Sequence, residues 1–253
     1  MALSNPLTIM SPQKTSVLAV VGLIAAVFAL LMVGGAGPAY RLELVDLNPA
    51  FALMRWGAWL GLAALLVALI GAWITRPGTQ RRGFALTLVG AVAGVVAFGV
   101  PFAMLQSAKA SPPIHDITTD TETPPRFVAM IALRQGSPNS VEYQGGTVAG
   151  QQRMAYSDIR PVTLSEPPDA VFKRALTAAR DIGWQIVAAV PAQGRIEATD
   201  TTLWFGFKDD IVVRVAPTAA GSRIDVRSVS RLGEGDLGKN AARIRAYLRR
   251  LQP

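Results

Sequence analysis

The stretch "IVVRVAPTAAGSRIDVRSVS", residues 211–230, holds two runs rich in Val and Ile, separated by the turn-forming letters "TAAG". Such residues favour strands, and side chains along a strand alternate between its two faces. We therefore predict a β-hairpin with one apolar and one polar face. The core face is predicted to carry Ile211, Val213, Val215, Ile224 and Val226. The opposite face is predicted to carry Asp210, Val212, Arg214, Asp225 and Arg227.

The flanking segments extend the hairpin into a domain. "SEPPDAVFKRALTAARDIG" predicts a helix with Ser165 as N-cap and Gly183 beyond its end. Strands are predicted at "WQIVAAV", "RIEATD" and "FVAMIAL", and one more within "MAYSDIRPVTL". A turn is predicted at "KDD". "DLGKNAARIRAYLRRL" predicts a last helix capped by Asp236. The pattern predicts an α+β domain, with an antiparallel sheet and two flanking helices.

The chain before this domain is strongly apolar and predicts three transmembrane spans. The 253 residues are 51% apolar and 17% charged, and the apolar excess lies before residue 108. A membrane helix needs about 20 apolar residues, and such runs occur at 16–37, 51–75 and 84–107. The predicted organisation is a membrane region over 1–108 and an α+β domain over 109–253. Cleavage of the first span as a signal peptide remains an alternative.

Basic residues predict the orientation of the three spans. Arg76, Arg81 and Arg82 lie in the loop after the second span, and Lys14 precedes the first. Positive charge marks the cytoplasmic side, so the amino terminus is expected inside and the domain outside. In a bacterium with two membranes, the protein would be a multi-pass inner-membrane protein with a periplasmic domain. Gly57, Gly61, Gly90 and Gly94 predict close packing of spans two and three.

Several polar residues are candidates for a site. Arg214 and Arg227, with Asp210 and Asp225, form either cross-strand ion pairs or an anion site built on guanidinium groups. The stretch "RSVSRLGEGDLGKN", which includes Ser230, Arg231 and Asn240, is either an anion-binding helix start or a structural turn filled by Asp236.

His115 is the only histidine of the chain. With Ser228 or Ser230 as the nucleophile and Asp116 as the acid it could supply a hydrolase site, although no Gly-x-Ser-x-Gly motif occurs. With Asp116, Asp120 or Asp209 it could hold a metal, although the spacing matches no familiar ligand pattern. The alternative is a structural loop, in which Asp and Thr side chains of "HDITTDTETPP" bind their own backbone. We expect Arg214, Arg227 and Arg231 to lie near this loop, with His115 and Asp116 in contact with them directly or through water.

Three polar segments together resemble one known family. They are "HDITTDTETPPRF", "ATDTTLWFGFKDDIVVRV" and "RIDVRSVSRLGEGDLGKNAARIRAYL". In this order they resemble the bacterial and plastid family called domain of unknown function 1499, over roughly residues 112–251. The three preceding helices look like the membrane region that some members carry. The resemblance implies that these residues are the family signature, and it implies no activity, cofactor or catalytic residue.

Two classes of function follow from these patterns. The first is a membrane-anchored accessory module of the cell envelope that binds a lipid, a glycan or a partner protein. The second is an envelope hydrolase that uses His115 and nearby acids. No cofactor or metal is expected. Nucleic acid is not an expected partner, because no dense basic stripe interleaved with aromatic residues occurs in the chain.

Overall fold

A computed structural model describes residues 14–252 and divides the chain after Ala103 into two compact units. The three amino-terminal helices are α1 (Val17–Arg41), α2 (Leu47–Ile74) and α3 (Phe84–Ala110). All three are long and apolar enough to cross a membrane. The three spans predicted from the sequence therefore exist as helices, with ends a few residues from the predicted ones.

Small residues let these helices approach closely. Ala26, Ala64 and Ala93, one from each helix, pack together. A Cβ atom added to Gly94 would lie 2.7 Å from the carbonyl oxygen of Gly61, so α2 and α3 touch at this point, as predicted. Gly57 and Gly90 instead face α1, where added Cβ atoms would lie 2.9 Å from Met32 Cβ and 3.3 Å from Leu23 Cα.

Gly94→Val is expected to destabilise the helical unit by about 1–3 kcal/mol, because the new side chain must displace the backbone of α2. Gly99→Val is the matched control on the same helix, since nothing lies within 4 Å of the Cβ atom it would add. Thermal unfolding of the detergent-purified chain measures both. Equal losses for the two variants would contradict the close packing at Gly94.

The second unit contains a six-stranded antiparallel sheet. The order is β1-β6-β5-β4-β3, and β2 pairs with the other half of β6. The strands are β1 (Asp116–Thr118), β2 (Val162–Leu164), β3 (Gln185–Val190), β4 (Arg195–Thr201), β5 (Lys208–Thr218) and β6 (Gly221–Ser230). The predicted hairpin is thus the centre of the sheet. Gly221 closes its turn at φ +139°, where a Cβ atom would lie 2.1 Å from the Leu164 carbonyl oxygen.

Two helices cover one face of this sheet, which we call the helix face. They are α6 (Pro168–Asp181) and α7 (Lys239–Leu251), and their apolar sides meet Ile211, Val213 and Val226 in the main core. The ring of Tyr247 stacks on Trp184 at a centroid distance of 4.7 Å, and its hydroxyl donates to Ala175 O. The predicted α+β architecture and the predicted core side of the hairpin are therefore confirmed.

Several local predictions are wrong. "FVAMIAL" is not a strand, and its last four residues form a short helix, α4 (Met130–Leu133). "KDD" is not a turn but the start of β5, where Asp210 pairs with Thr199 and Val229. The N-cap of α6 is Pro167 rather than Ser165, and the N-cap of α7 is Gly238 rather than Asp236. One further helix, α5 (Gly146–Ala155), has no counterpart in the sequence analysis.

Candidate functional site

The sheet face opposite α6 and α7 carries a set of buried charges, and we call it the charged face. Its strand positions include Glu197, Asp210, Asp225 and Arg227, each at most 2% exposed. Strand parity predicts which side these residues point to, but not their burial. They are buried because residues 120–143, the covering segment, lie across this face and add the apolar side chains of Phe127 and Met130.

Arg227 forms the most enclosed ion pair of the charged face. Its Nε and Nη2 atoms donate to the two oxygens of Asp116 at 2.9 and 2.7 Å. Nη2 also donates to the carbonyl of Val141 at 2.7 Å. The rings of Phe127 and Tyr143 each have their centroids 5.4 Å from the guanidinium carbon. One side chain therefore joins β1, β6 and both ends of the covering segment.

Asp210 is shared between two arginines. Arg134 Nη1 donates to it at 2.7 Å, Arg231 Nε at 2.8 Å, and the Thr199 hydroxyl at 2.7 Å. Burial lowers the pKa of Arg134, and the hydrogen bond and charge of Asp210 partly offset that effect. Arg134 also donates to the Ser230 and Asn139 carbonyls, so Asp210 holds α4 and the chain after it onto the sheet.

Asp120 and Asp225 form a second shared site with Arg214 and Arg223. Each arginine donates to both carboxylates, over distances of 2.8–3.1 Å. Burial opposes the ionisation of Asp120. Hydrogen bonds from the N–H and hydroxyl groups of Thr123 and from the Glu122 N–H, with the charge of Arg223, outweigh that effect and lower the pKa of Asp120.

Glu197 fixes the start of α4 without exposure to solvent. Its carboxylate accepts the N–H groups of Val128, Ala129 and Met130 at 2.8–3.1 Å, and it is also paired with Arg195. These free N–H groups at the start of a helix favour a negative charge. The covering segment thus supplies the hydrogen-bond donors of a buried acid, and this acid fixes one point of the segment on the sheet.

The sheet separates the residues that the sequence analysis grouped together. Six of the ten candidates lie on the charged face or its edge: Asp116, Asp120, Asp210, Arg214, Arg227 and Arg231. The other four are His115, Asp209, Ser230 and Asn240, which lie on the helix side, where Arg243 donates to Asp209 at 2.6 Å. Consecutive strand residues point to opposite faces, so Asp209 and Asp210 cannot share a site.

The expected arginine cluster forms only in part. Arg227 contacts Asp116 and Arg214 contacts Asp120, both in the predicted loop, whereas Arg231 binds Asp210. The His115 ring Nδ1 lies 3.3 Å from the Glu234 carbonyl, and it bonds to none of the three arginines within residues 14–252. His115 contributes its own carbonyl, which accepts from Ser230 N and Asn240 Nδ2 at 3.0 Å. Its backbone therefore fastens the loop.

The helix side holds a buried polar network at the start of α7. The Ser228 hydroxyl donates to Asn240 Oδ1 at 2.7 Å, and Asn240 Nδ2 donates to the Ser230 hydroxyl at 3.0 Å. The Asp236 carboxylate accepts from Gly238 N and Asn240 N, and burial raises its pKa. Asp236 thus occupies the position that an anion would take at this helix start, which is the structural alternative left open by the sequence.

Within residues 14–252, neither the Ser228 nor the Ser230 hydroxyl is bonded to the His115 ring, and each is bonded to Asn240. Over residues 14–252, no group of three or more His, Asp or Glu side chains is placed to hold a metal ion.

An open cleft of about 840 Å³ lies between the covering segment and the sheet. Its walls combine apolar and cationic side chains, and we call it the cleft: Phe127, Val128, Ile131, Val141, Val212, Arg126, Arg195, Arg214, Arg227 and Tyr143, with Glu122 and Glu142 among the remaining lining residues. Arg126 is exposed there and has no ion pair within the described chain. The Tyr143 hydroxyl is buried and has no hydrogen-bond partner within that part either.

Several residues of the cleft and of the charged face were not predicted as site residues. Arg126 is the penultimate residue of the "HDITTDTETPPRF" segment, so its place in a signature segment was the available signal. Arg195 and Glu197 lie on β4 with the parity of the charged face, which the strand pattern could have shown. Tyr143 and Arg134 gave no local signal, because they reach the charged face through an irregular chain.

These features define a class of protein: three candidate membrane spans followed by an α+β domain whose sheet carries a buried layer of ion pairs. Residues 116–251 match the model of the family described as "Protein of unknown function (DUF1499)". The match covers more than half of the chain, and the chain belongs to this family. No curated protein and no solved structure matches it.

Arg227→Ala is expected to lower the free energy of unfolding of the domain by about 3–5 kcal/mol, because it leaves Asp116 charged and buried without its partner. Arg153→Ala is the control, since the side chains of Arg153 and its partner Glu122 are 56% and 84% exposed and the loss of this pair costs at most about 1 kcal/mol. Urea unfolding of the detergent-solubilised chain, followed by tryptophan fluorescence, compares them. A loss at Arg227 no greater than at Arg153 would contradict the buried pair.

Asp120→Asn is expected to have a pH-dependent cost. A carboxyl whose pKa is lowered on folding stabilises the protein above its ordinary pKa of about 3.9, and this contribution is lost as pH falls through the folded value. The variant should therefore be less stable by about 1–3 kcal/mol at pH 6, and the difference should shrink below about pH 4. Unfolding at several pH values measures it, with Glu142→Gln as control. A difference independent of pH would contradict the assignment.

Proposed function

We propose that the α+β domain is a binding module held at a membrane by α1, α2 and α3, and that the cleft is its binding site. The observation that carries the proposal is the combination of Arg126, which has no ion pair within residues 14–252, with apolar walls in one cavity. Small-molecule sites are concave and mostly apolar, with a few polar groups that fix orientation. The cleft is concave and of suitable size, and it combines seven apolar lining residues with nine polar or charged ones.

Binding without catalysis fits the cleft better than hydrolysis. Among residues 14–252, its lining includes no histidine and no serine, and Thr123 is its one hydroxyl besides Tyr143. A hydrolase needs a nucleophile beside a base within hydrogen-bond reach. Three of the four lining arginines are also committed to carboxylates, as Arg195, Arg214 and Arg227 are. Such fixed groups orient a bound molecule but do not transfer protons.

The proposed place of the module is the cell envelope. With Lys14, Arg76, Arg81 and Arg82 on the cytoplasmic side, the domain lies on the periplasmic side of the bacterial inner membrane. Its ligand is then a molecule of the envelope: a lipid, a glycan or a segment of a partner protein.

Native mass spectrometry of the detergent-purified chain tests the binding proposal. We expect an additional bound mass on the wild-type chain and its loss from Ile131→Trp, because Ile131 lines the cleft and is 50% exposed. Leu133→Trp is the matched control, since Leu133 is 53% exposed and does not line the cleft. A mass that survives in Ile131→Trp, or no bound mass on any of the three chains, would contradict the proposal.

The orientation has its own test. A reporter enzyme that is active only in the periplasm, fused after Pro253, is expected to be active. A reporter that is active only in the cytoplasm is expected to be silent at the same position. The reverse result would place the domain in the cytoplasm and would overturn the envelope assignment.

A further inference from the structure

Two arginines lie side by side on the sheet where it forms the floor of the cleft. Arg195 on β4 and Arg214 on β5 are directly opposite each other in the ladder. Like charges at such positions repel each other. Each is held in place by a buried carboxylate, Arg195 by Glu197 and Arg214 by Asp225. The pair is therefore stable without a ligand, and it still presents positive charge to the cleft.

The cleft has more unused hydrogen-bond donors than acceptors. Arg214 donates through Nε and Nη2, and its Nη1 makes no hydrogen bond to any residue of the described chain. The Arg126 guanidinium and the Tyr143 hydroxyl add further donors without partners there. Burial raises the pKa of Tyr143 to about 12, so its hydroxyl keeps its proton at neutral pH.

Acceptors in the cleft are fewer or already used. Gln193 Oε1 accepts from Arg195, and Glu122 is paired with Arg153. Glu142 is the one lining carboxylate without an ion pair in the described range. A molecule that fills this cleft must therefore bring acceptors of its own, as a phosphate or a carboxylate does.

The remaining walls are apolar and accessible. Phe127, Val141 and Val212 lie deeper, whereas Val128 and Ile131 are 55% and 50% exposed. Both are in the covering segment beside Arg126, so an apolar surface continues outward from the basic one. Two exposed aliphatic side chains next to an unpaired cation match a ligand that is charged at one end and apolar at the other.

We propose that the cleft binds an amphiphilic anion, with a phosphate or carboxylate head at Arg126, Arg214 and Tyr143 and an apolar chain along Val128 and Ile131. This inference rests on the proposed function and specifies the ligand class of the same site. An anionic membrane lipid and a free single-chain amphiphile share this chemistry.

Calorimetric titration of the full chain tests the ligand class. The chain is placed in nanodiscs of zwitterionic phosphatidylcholine and titrated with hexyl phosphate, inorganic phosphate and hexanol. Hexyl phosphate is expected to bind at least tenfold more tightly than either of the others, because only it has both parts. Equal binding of inorganic phosphate would overturn the apolar part of the proposal, and equal binding of hexanol would overturn the anionic part.

Variants assign the binding to the cleft. Arg126→Gln and Tyr143→Phe are each expected to weaken hexyl phosphate at least fivefold, and Arg160→Gln, which removes an exposed arginine outside the cleft, is expected to leave it unchanged. Ile131→Ser is expected to weaken hexyl phosphate but not inorganic phosphate, with Leu133→Ser as its control. Unchanged affinity in Arg126→Gln and Tyr143→Phe, in chains with wild-type circular dichroism, would overturn the proposal.

The two sources of such a ligand differ in one further titration. If a membrane lipid reaches the cleft, phosphatidylglycerol in the nanodisc competes and weakens hexyl phosphate several-fold. If only a free amphiphile does, the affinity is the same in both nanodiscs. Absence of binding by all probes, together with an uncharged cleft-bound mass in native spectra, overturns the ligand class and leaves the binding module intact. Absence of both overturns the binding module as well.

Discussion

The ion pair between Asp116 and Arg227 holds together the parts of the domain that have the least regular structure. Asp116 is the first residue of a strand of only three residues, and such a strand has few hydrogen bonds of its own. Arg227 donates two hydrogen bonds to the Asp116 carboxylate and one to the Val141 carbonyl. Its guanidinium also makes cation–π contacts with the rings of Phe127 and Tyr143. This guanidinium joins β1 to the covering segment, and Asp210 and Glu197 hold the covering segment to the sheet at two further points.

Burying a pair of charges costs desolvation free energy, and apolar residues of similar size often stabilise a fold more. The charged face nevertheless uses this device repeatedly, at Asp210, Asp225 and Glu197. Its advantage is directional. A bidentate pair accepts only one geometry, whereas an apolar contact tolerates several. The covering segment is irregular, so its path is set mainly by hydrogen bonds to charged groups, and the cleft keeps a defined shape.

The sequence predicts the sheet well and the charged face only by its orientation. Alternation in residues 211–230 assigns Ile211 and Val213 to the core, because a strand of period two leaves no other choice. It cannot show that the opposite side is buried, since burial depends on a segment about 80 residues earlier in the chain. Arg126 and Tyr143 belong to that segment, and nothing in their immediate neighbours indicates what they face. His115 was a candidate because it is the only histidine of the chain. Its closest contacts are made by its backbone carbonyl, which accepts from Ser230 and Asn240 and which any residue would provide.

The pairing of β1 with β6 also has a consequence for the order of events as the chain is made. Asp116 and Arg227 are 111 residues apart. At synthesis rates of about 5–20 residues per second, the first waits about 5–20 s for the second to exist. During that interval Phe127 and Met130 have no sheet to lie against, and the acid has no counter-ion. The covering segment of the nascent domain therefore stays exposed until β6 has been synthesised. A chaperone that binds this segment acts during that interval.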